Sequence, residues 1–372
     1  MKKTHLTSLI RKFAVIILLI AALAAVRGNA YAKTTVTVDT TAIPLPVSIP
    51  LDGITSLIDD FQNKADTNGP IYADAFAFGN TLGYAIGRPT IGSFPHFEAG
   101  FTMNAGLTNM KYFKDDANKD SGKIPGVGIA PAFHFGVGLG AGLDFVGKFL
   151  TYSLDLYNPS KHLPDKYQLT KFTVYNLGGR LRYNVITEKP VIPFLLSFGG
   201  VTLSFGGDMS RGFIAMHGDY PDVRVDQPVS IEAPISMTVH PTIDGDYETN
   251  VSWYQVSGSV QATAYVKLIS LFSLYTGVGM SVGYGWFKCG FDATGDLNAA
   301  DTDTAYITYA GSSRIGTITA KSKNTYHPKN FLPTYILGLE FDIPLVKIVA
   351  ESQVNLRNRE DVSASLGIRI QI

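Results

Sequence analysis

Along much of the chain, apolar residues occupy every second position. In residues 133–145, Phe133, Phe135, Val137, Leu139, Ala141, Leu143 and Phe145 alternate with His134, Asp144 and four glycines. Thirteen residues of period two cover about 40 Å at strand rise, where an ordinary strand has about five or six residues. One face is apolar and the other is glycine and polar. A membrane-spanning strand needs that division, with lipid on one side and a packed or wet lumen on the other.

The pattern recurs at 97–105, 150–156, 177–185, 335–341, 346–356 and 362–372, with less regular strand-like runs near 251–266 and 270–288. In 150–156 it predicts Leu150, Tyr152, Leu154 and Leu156 towards lipid and Asp155 inward. Glu98, Asp144, Arg180, Arg182, Glu340, Lys347, Glu351 and Arg369 also fall on inward positions. Four positive charges then face five negative ones, so they can pair. Short turns are expected at 145–149, 187–192, 266–270 and 342–346, and long polar loops at 108–127, 158–169, 206–250 and 289–330. Short turns on one side and long loops on the other are the habit of bacterial barrels. The count gives ten spanning strands with both termini on the short-turn, periplasmic side. Two further alternating pairs, 229–239 with 211–217 and 304–310 with 314–320, would raise it to fourteen. Tyr and Trp gather near strand ends, as at Tyr175, Trp253, Tyr254, Tyr284 and Trp286, which suits a headgroup girdle.

One strand slips phase. Leu196 and Phe198 share a face, and after Gly199-Gly200 the apolar residues resume at Val201, Leu203 and Phe205. This is the signature of a β-bulge, which can add curvature or open a lateral passage between lumen and membrane.

The first 95 residues differ. Lys2, Lys3, Arg11 and Lys12 precede a 14-residue apolar run, Phe13 to Val26, and Ala30-Tyr31-Ala32 fits a cleavage site. Residues 1–32 therefore read as a signal peptide. Residues 33–95 carry two apolar-faced helical patterns. One starts at Asp52 with Ile54, Leu57, Ile58 and Phe61. The other starts at Pro70 with Ile71, Ala75, Phe78 and Leu82. They must bury those faces, and the lumen of the barrel formed by 96–372 is the nearest place. The segment is expected to be a plug, or a periplasmic helical pair at the barrel base.

Composition agrees. Of 372 residues, 45% are hydrophobic and 17% charged, which argues against disorder. Lys plus Arg equals Asp plus Glu at 31 each. Losing the five basic residues of the signal leaves 26 against 31, a net of −5, which does not suit a nucleic-acid binder. Cys289 is the single cysteine, so no intrachain disulfide forms. The glycine-rich runs at 136–142 and 277–283 lie in strands and miss G-x-G-x-x-G. The histidines lack metal-ligand spacing. No enzyme activity, metal or cofactor is expected.

Leu82-Gly-Tyr-Ala-Ile-Gly-Arg-Pro-Thr-Ile-Gly-Ser-Phe-Pro-His-Phe-Glu leads into the first barrel strand, and Asn330-Phe-Leu-Pro-Thr-Tyr-Ile-Leu-Gly-Leu-Glu-Phe into the closing ones. With a plug-like segment before a Gly/Tyr-rich barrel, the chain resembles the long-chain fatty acid transporter (FadL-like) family of the outer membrane. That family has Asn-Pro-Ala before its first strand, where this chain has Gly87-Arg88-Pro89. The resemblance implies fourteen strands, an N-terminal plug and passive passage of hydrophobic molecules through a lateral opening.

The expected fold is an all-β transmembrane antiparallel barrel of 10 to 14 strands with a short helical plug. The expected function is passive uptake of hydrophobic small molecules, such as long-chain fatty acids, across the bacterial outer membrane. Phe76, Phe78, Leu82 and Tyr84 would supply apolar surface. Arg180 or Arg182 would meet a carboxylate, and Gly199-Gly200 would form the lateral kink. Outer-membrane lipid and the ligand are the expected partners. Two other functions stay open: a surface adhesin or host-contact barrel acting through its long loops, and a small-solute porin.

Overall fold

The computed structural model describes residues 33–39, 52–81, 96–109, 125–155, 168–193, 195–224, 229–231, 237–239, 241–269, 271–300, 303, 313–343 and 345–371. The signal peptide, Leu82, Tyr84 and Gly87-Arg88-Pro89 lie outside them. The described strands are β1 (Lys33–Asp39), β2 (Phe97–Thr108), β3 (Gly126–Ile129), β4 (Ala132–Gly140), β5 (Leu143–Asp155), β6 (Gln168–Ile186), β7 (Lys189–Ile192), β8 (Leu196–Arg224), β9 (Val229–Ile231), β10 (Met237–Val239), β11 (Pro241–Leu268), β12 (Phe272–Ala299), β13 (Arg314–Tyr326), β14 (Phe331–Ile343), β15 (Val346–Asn355) and β16 (Val362–Gln371). One helix, α1, runs from Asp52 to Asn80.

Pairing is antiparallel and closes on itself. From β2 the wall passes through β4, β5, β6, β8, β11, β12, β14, β15 and β16 and back to β2. The ring therefore has ten staves, the number the alternation gives unaided and fewer than the FadL-like resemblance implies. The two extra pairs do not span. Residues 211–217 belong to β8, and β9 with β10 forms a separate small hairpin. Residues 314–320 belong to β13, which pairs with the upper part of β12 while β14 pairs with its lower part. Together β13 and β14 make one stave interrupted at 327–330. Residues 304–310 lie outside the description.

Outward positions carry the lipid surface: Phe101, Phe133, Leu177, Val278, Leu337 and Ile368 are all more than a third exposed. A closed ring with an apolar belt outside and polar side chains inside is a transmembrane barrel, because no backbone edge is left in hydrocarbon. The protein is a transmembrane β-barrel.

Two expectations fail at the first hairpin. Residues 133–145 are not one strand, and 145–149 is not a turn. The chain reverses at Ala141-Gly142, with φ of 84°, 53° and 75° at Gly140, Ala141 and Gly142. A two-residue turn alone would invert the alternation, but the register slips by one residue between Gly138 and Gly140, so Gly138 faces Asp144 and the pattern passes through unbroken. The second failure follows. Asp144, Val146 and Lys148 are inward and buried, so the same face continues through Leu150, Tyr152 and Leu154. Asp155 is outward and exposed.

Three staves are far longer than a membrane requires. β8 has 29 residues, and β11 and β12 have 28 each, roughly 90 Å of strand where a span needs about 9–11 residues. With β13 and β1 they raise one side of the barrel into a tall wall beyond the long-loop end. Its inner face buries Ile243, Leu297, Ile315 and Ile318.

The helix is single. The pattern predicts two helices broken at Pro70, yet Pro70 lies inside α1. Proline there removes one backbone hydrogen bond, and packing on both sides overrides the break. The ring of Tyr326 fills the place where a Gly69 side chain would be, and Tyr326 Oη donates to Asp66 at 2.8 Å. Further along, Lys329 Nζ meets Asp74 at 3.0 Å and Asp361 at 3.5 Å. The wall at β2 and β3 is bare glycine: the Cβ of Gly106 would stand 2.1 Å from Ala75 O, and that of Gly128 2.5 Å from Phe76 N. Thr108 Oγ1 donates to Ile71 O at 2.8 Å, and Lys148 and Arg180 bond to the carbonyls of Asn80 and Thr81. α1 thus enters from the long-loop end and points its C-terminus into the lumen. The described ends lie apart, contrary to the expectation. β1 pairs Lys33 with Lys323 on the tall wall, while Gln371 donates to Leu345 O at the short turns.

Gly106→Val is expected to expel α1 from the wall. Cys289 sits partly buried against the apolar cluster that α1 covers. Its maleimide labelling in the folded barrel should accelerate about tenfold or more. Unchanged labelling would mean that the helix tolerates the side chain.

Candidate functional site

The lumen is stratified from the short-turn end upwards. At the base, Arg369 Nη1 donates to Glu98 at 2.9 Å and Nη2 to Glu340 at 2.6 Å. Arg182 grips Asp144 at 2.6 and 3.1 Å and lies 3.9 Å from Glu98. Lys347 bridges Glu340 at 3.8 Å and Asp342 at 3.1 Å. Tyr275 Oη and Gln353 Nε2 donate to the two oxygens of Glu351 at 3.0 and 2.9 Å. Of these inward charges all but Asp342 were read from parity, and Asp155, read as inward in the same way, is outward. They serve one another, as buried charges must.

One layer up, Lys148 Nζ pairs with Asp208 at 2.7 Å. Arg180 donates to Gln261 at 2.6 Å and Ser259 at 3.0 Å, with Asp208 at 4.0 Å. Of the two arginines expected to share a role, Arg182 therefore belongs to the base and Arg180 to the layer beneath α1.

Above them the inner wall turns apolar. Phe76 on α1 stacks on Trp253 at 4.3 Å and on Phe287 at 5.8 Å, and Tyr72 stacks on Phe287 at 6.0 Å. Val174, Ala73, Trp253 and Phe287 form the buried centre of this cluster, with Leu150, Phe172, Ile214 and Val251 against it. Trp253 Nε1 donates to Ser210 at 3.2 Å, and the indole covers Gly212. Away from the helix the band stays open. Tyr152, 47% exposed, meets Phe172 at 6.1 Å. Outward of it stand Thr151, Ser153 and Asp155, so the band lies at and above the edge of the lipid belt. Sequence reading missed Leu150, Tyr152 and Leu154 because it placed them towards lipid. The missed signal is the polar run on the opposite face, Thr151 to Asp155, which no hydrocarbon would accept.

Phe76 is in this cluster. Phe78 is buried on another helix face, at 1% exposure. Gly199-Gly200 is a bulge: the register slips between Tyr265 and Val266, Gly200 has φ of 109°, and the Tyr265 ring occupies the place of a Gly199 side chain. It sits near the short-turn end of β8, and pairing continues on both flanks. Among the described residues no group of three His, Cys, Asp or Glu could hold a metal ion.

A family model described as Lsa36-like matches residues 30–372, nearly the whole chain. The chain belongs to the Lsa36-like family. No curated protein matches this Lsa36-like chain. Among solved structures it is similar to several membrane barrels of different kinds. The toluene transporter TbuX of Ralstonia pickettii is 11% identical, covering 82% of this chain and 97% of that one, with a TM-score of 0.22. A FadL homologue of Pseudomonas aeruginosa is 10% identical over 82% and 97%, with a TM-score of 0.20. The translocator domain of the autotransporter NalP of Neisseria meningitidis is 8% identical over 86% and 98%, with a TM-score of 0.25. Likenesses this distant carry no argument about the chemistry of the Lsa36-like lumen.

Arg369→Met leaves Glu98 and Glu340 without their shared cation. The barrel should lose about 3–5 kcal/mol in urea unfolding of the refolded protein in detergent. Combining it with Glu98→Gln and Glu340→Gln should recover most of that loss. A stable single variant would show that water or Lys347 replaces the guanidinium.

Proposed function

We propose that this protein takes up hydrophobic small molecules, long-chain fatty acids being the class first expected, from the medium facing its long loops. The observation that carries the proposal is the apolar band on the inner wall, open at Tyr152, Leu154, Phe172 and Ile214 beside α1. Burying one such side chain stabilises a fold by about 1.5–3 kcal/mol, so a water-facing band inside a lumen is a cost that a ligand would relieve. Phe76 and Trp253 supply a rigid aromatic wall. The ligand would bind there and move on when α1 shifts. Leu82, Tyr84 and a lateral exit at Gly199-Gly200 remain parts of this proposal.

A second reading is favoured by a separate observation. The tall wall extends the chain well beyond any membrane need, which suits a surface-contact role through the loops above it. The porin reading gains nothing from a lumen occupied by paired charges and a helix.

Displacement of a fluorescent long-chain fatty acid from the refolded barrel tests the first reading. Saturable binding at micromolar concentration or below is expected, weakened about tenfold or more by Phe172→Asp with Tyr152→Asp. Binding no better than to an unrelated plugged barrel would move the weight to surface contact. Deleting residues 225–240 should leave ligand binding intact under the uptake reading and abolish partner contact under the other.

A further inference from the structure

The head group of the ligand can be argued from the charges around the site, on the reading of the mouth as a ligand site. Among the described residues the buried charged side chains comprise five cations, Lys148, Arg180, Arg182, Lys347 and Arg369, and six carboxylates, Glu98, Asp144, Asp208, Glu340, Glu351 and Asp361. Each of the five cations has a carboxylate within 4.0 Å. An incoming carboxylate would add a seventh negative charge where the five buried cations of the described residues are already engaged, and a buried unpaired charge is costly. An incoming ammonium would find five of the six carboxylates engaged by cations and Glu351 bonded by Tyr275 and Gln353.

Neutral groups beside these charges also have hydrogen-bonding capacity to spare. By register, Asn176, Ser210 and Gln255 form the inward row directly below Val174, Gly212 and Trp253. Asn176 Oδ1 is buried with no hydrogen-bond partner among the described residues. The same holds for Ser257 Oγ, one inward position deeper, and for both amide atoms of Asn80, one helical turn beyond Phe76. Asn80 is 0% exposed and Asn176 2% exposed. Leaving such groups unmet costs about 1–3 kcal/mol each. Together they offer donors and acceptors without net charge, at the foot of an apolar band.

We infer that the site takes an uncharged amphiphile: an apolar chain or ring carrying a hydroxyl, ester or amide that reaches Asn176 and Asn80. Carboxylate and ammonium analogues of the same chain bind more weakly, because the charges beneath are already paired. The role expected of Arg180 and Arg182 as carboxylate anchors passes to these neutral amides.

A head-group series with one chain length tests this. The neutral dye N-phenyl-1-naphthylamine, bound to the full-length refolded barrel at pH 8, is displaced with dodecanol, methyl laurate, laurate and dodecyltrimethylammonium. All are kept below their micelle-forming concentrations. Dodecanol and methyl laurate should compete at concentrations about tenfold lower than either charged analogue. Arg180→Gln should leave that order intact. Laurate or the ammonium competing as well as dodecanol overturns the inference while leaving the ligand site standing. Absence of saturable, displaceable dye binding overturns the site and the inference together.

Discussion

A peptide group facing hydrocarbon has no water to bond, so each must find its partner in a neighbouring strand. Everything else here follows from how that ladder closes. β12 gives its lower half to β14 and its upper half to β13, and this shared edge turns an open sheet into a ring of ten staves. A ring that small has a narrow interior. Inward side chains cannot all be hydrated, so charges are driven into pairs and the remaining space is taken by a helix whose backbone touches bare glycine. Aromatic rings laid over inward glycines repeat the device: Trp253 on Gly212, Tyr265 on Gly199, Tyr275 on Gly338. Each fills volume without widening the wall.

Much of this was legible in the order of residues. Strict alternation at β2, β14, β15 and β16 identified both faces correctly, and the inward charges with them. Parity alone could not locate the first hairpin, because the register slip between Gly138 and Gly140 cancels the inversion that the Ala141-Gly142 turn would cause. It also misled where the wall leaves the membrane. Above the lipid belt both faces of β5 touch water or helix, so hydrophobicity no longer says which side is outside. Pro70 looked like a helix boundary because local propensity was weighed without the lumen that holds both halves. Tyr326 over Gly69, and Asp74 against Lys329, join residues more than 250 positions apart, and no local pattern announces them.

The stratified interior has a functional logic. Paired charges fill the base of the barrel and offer little purchase to a lipophilic molecule. The apolar band near the mouth offers purchase and no seal. Between them lies α1, which contributes aromatic surface to the band and backbone carbonyls to the charged layer. Movement of one element therefore changes both layers at once. The interruption at 327–330 places Lys329 where it holds that element from the side.

The helix lies inside the ring while the chain before it is paired on the tall wall and the chain after it begins β2 at the opposite end. The seam of β16 against β2 therefore encloses a helix whose chain is paired to the barrel on both sides. Closing the circumference and placing the helix are parts of one assembly problem.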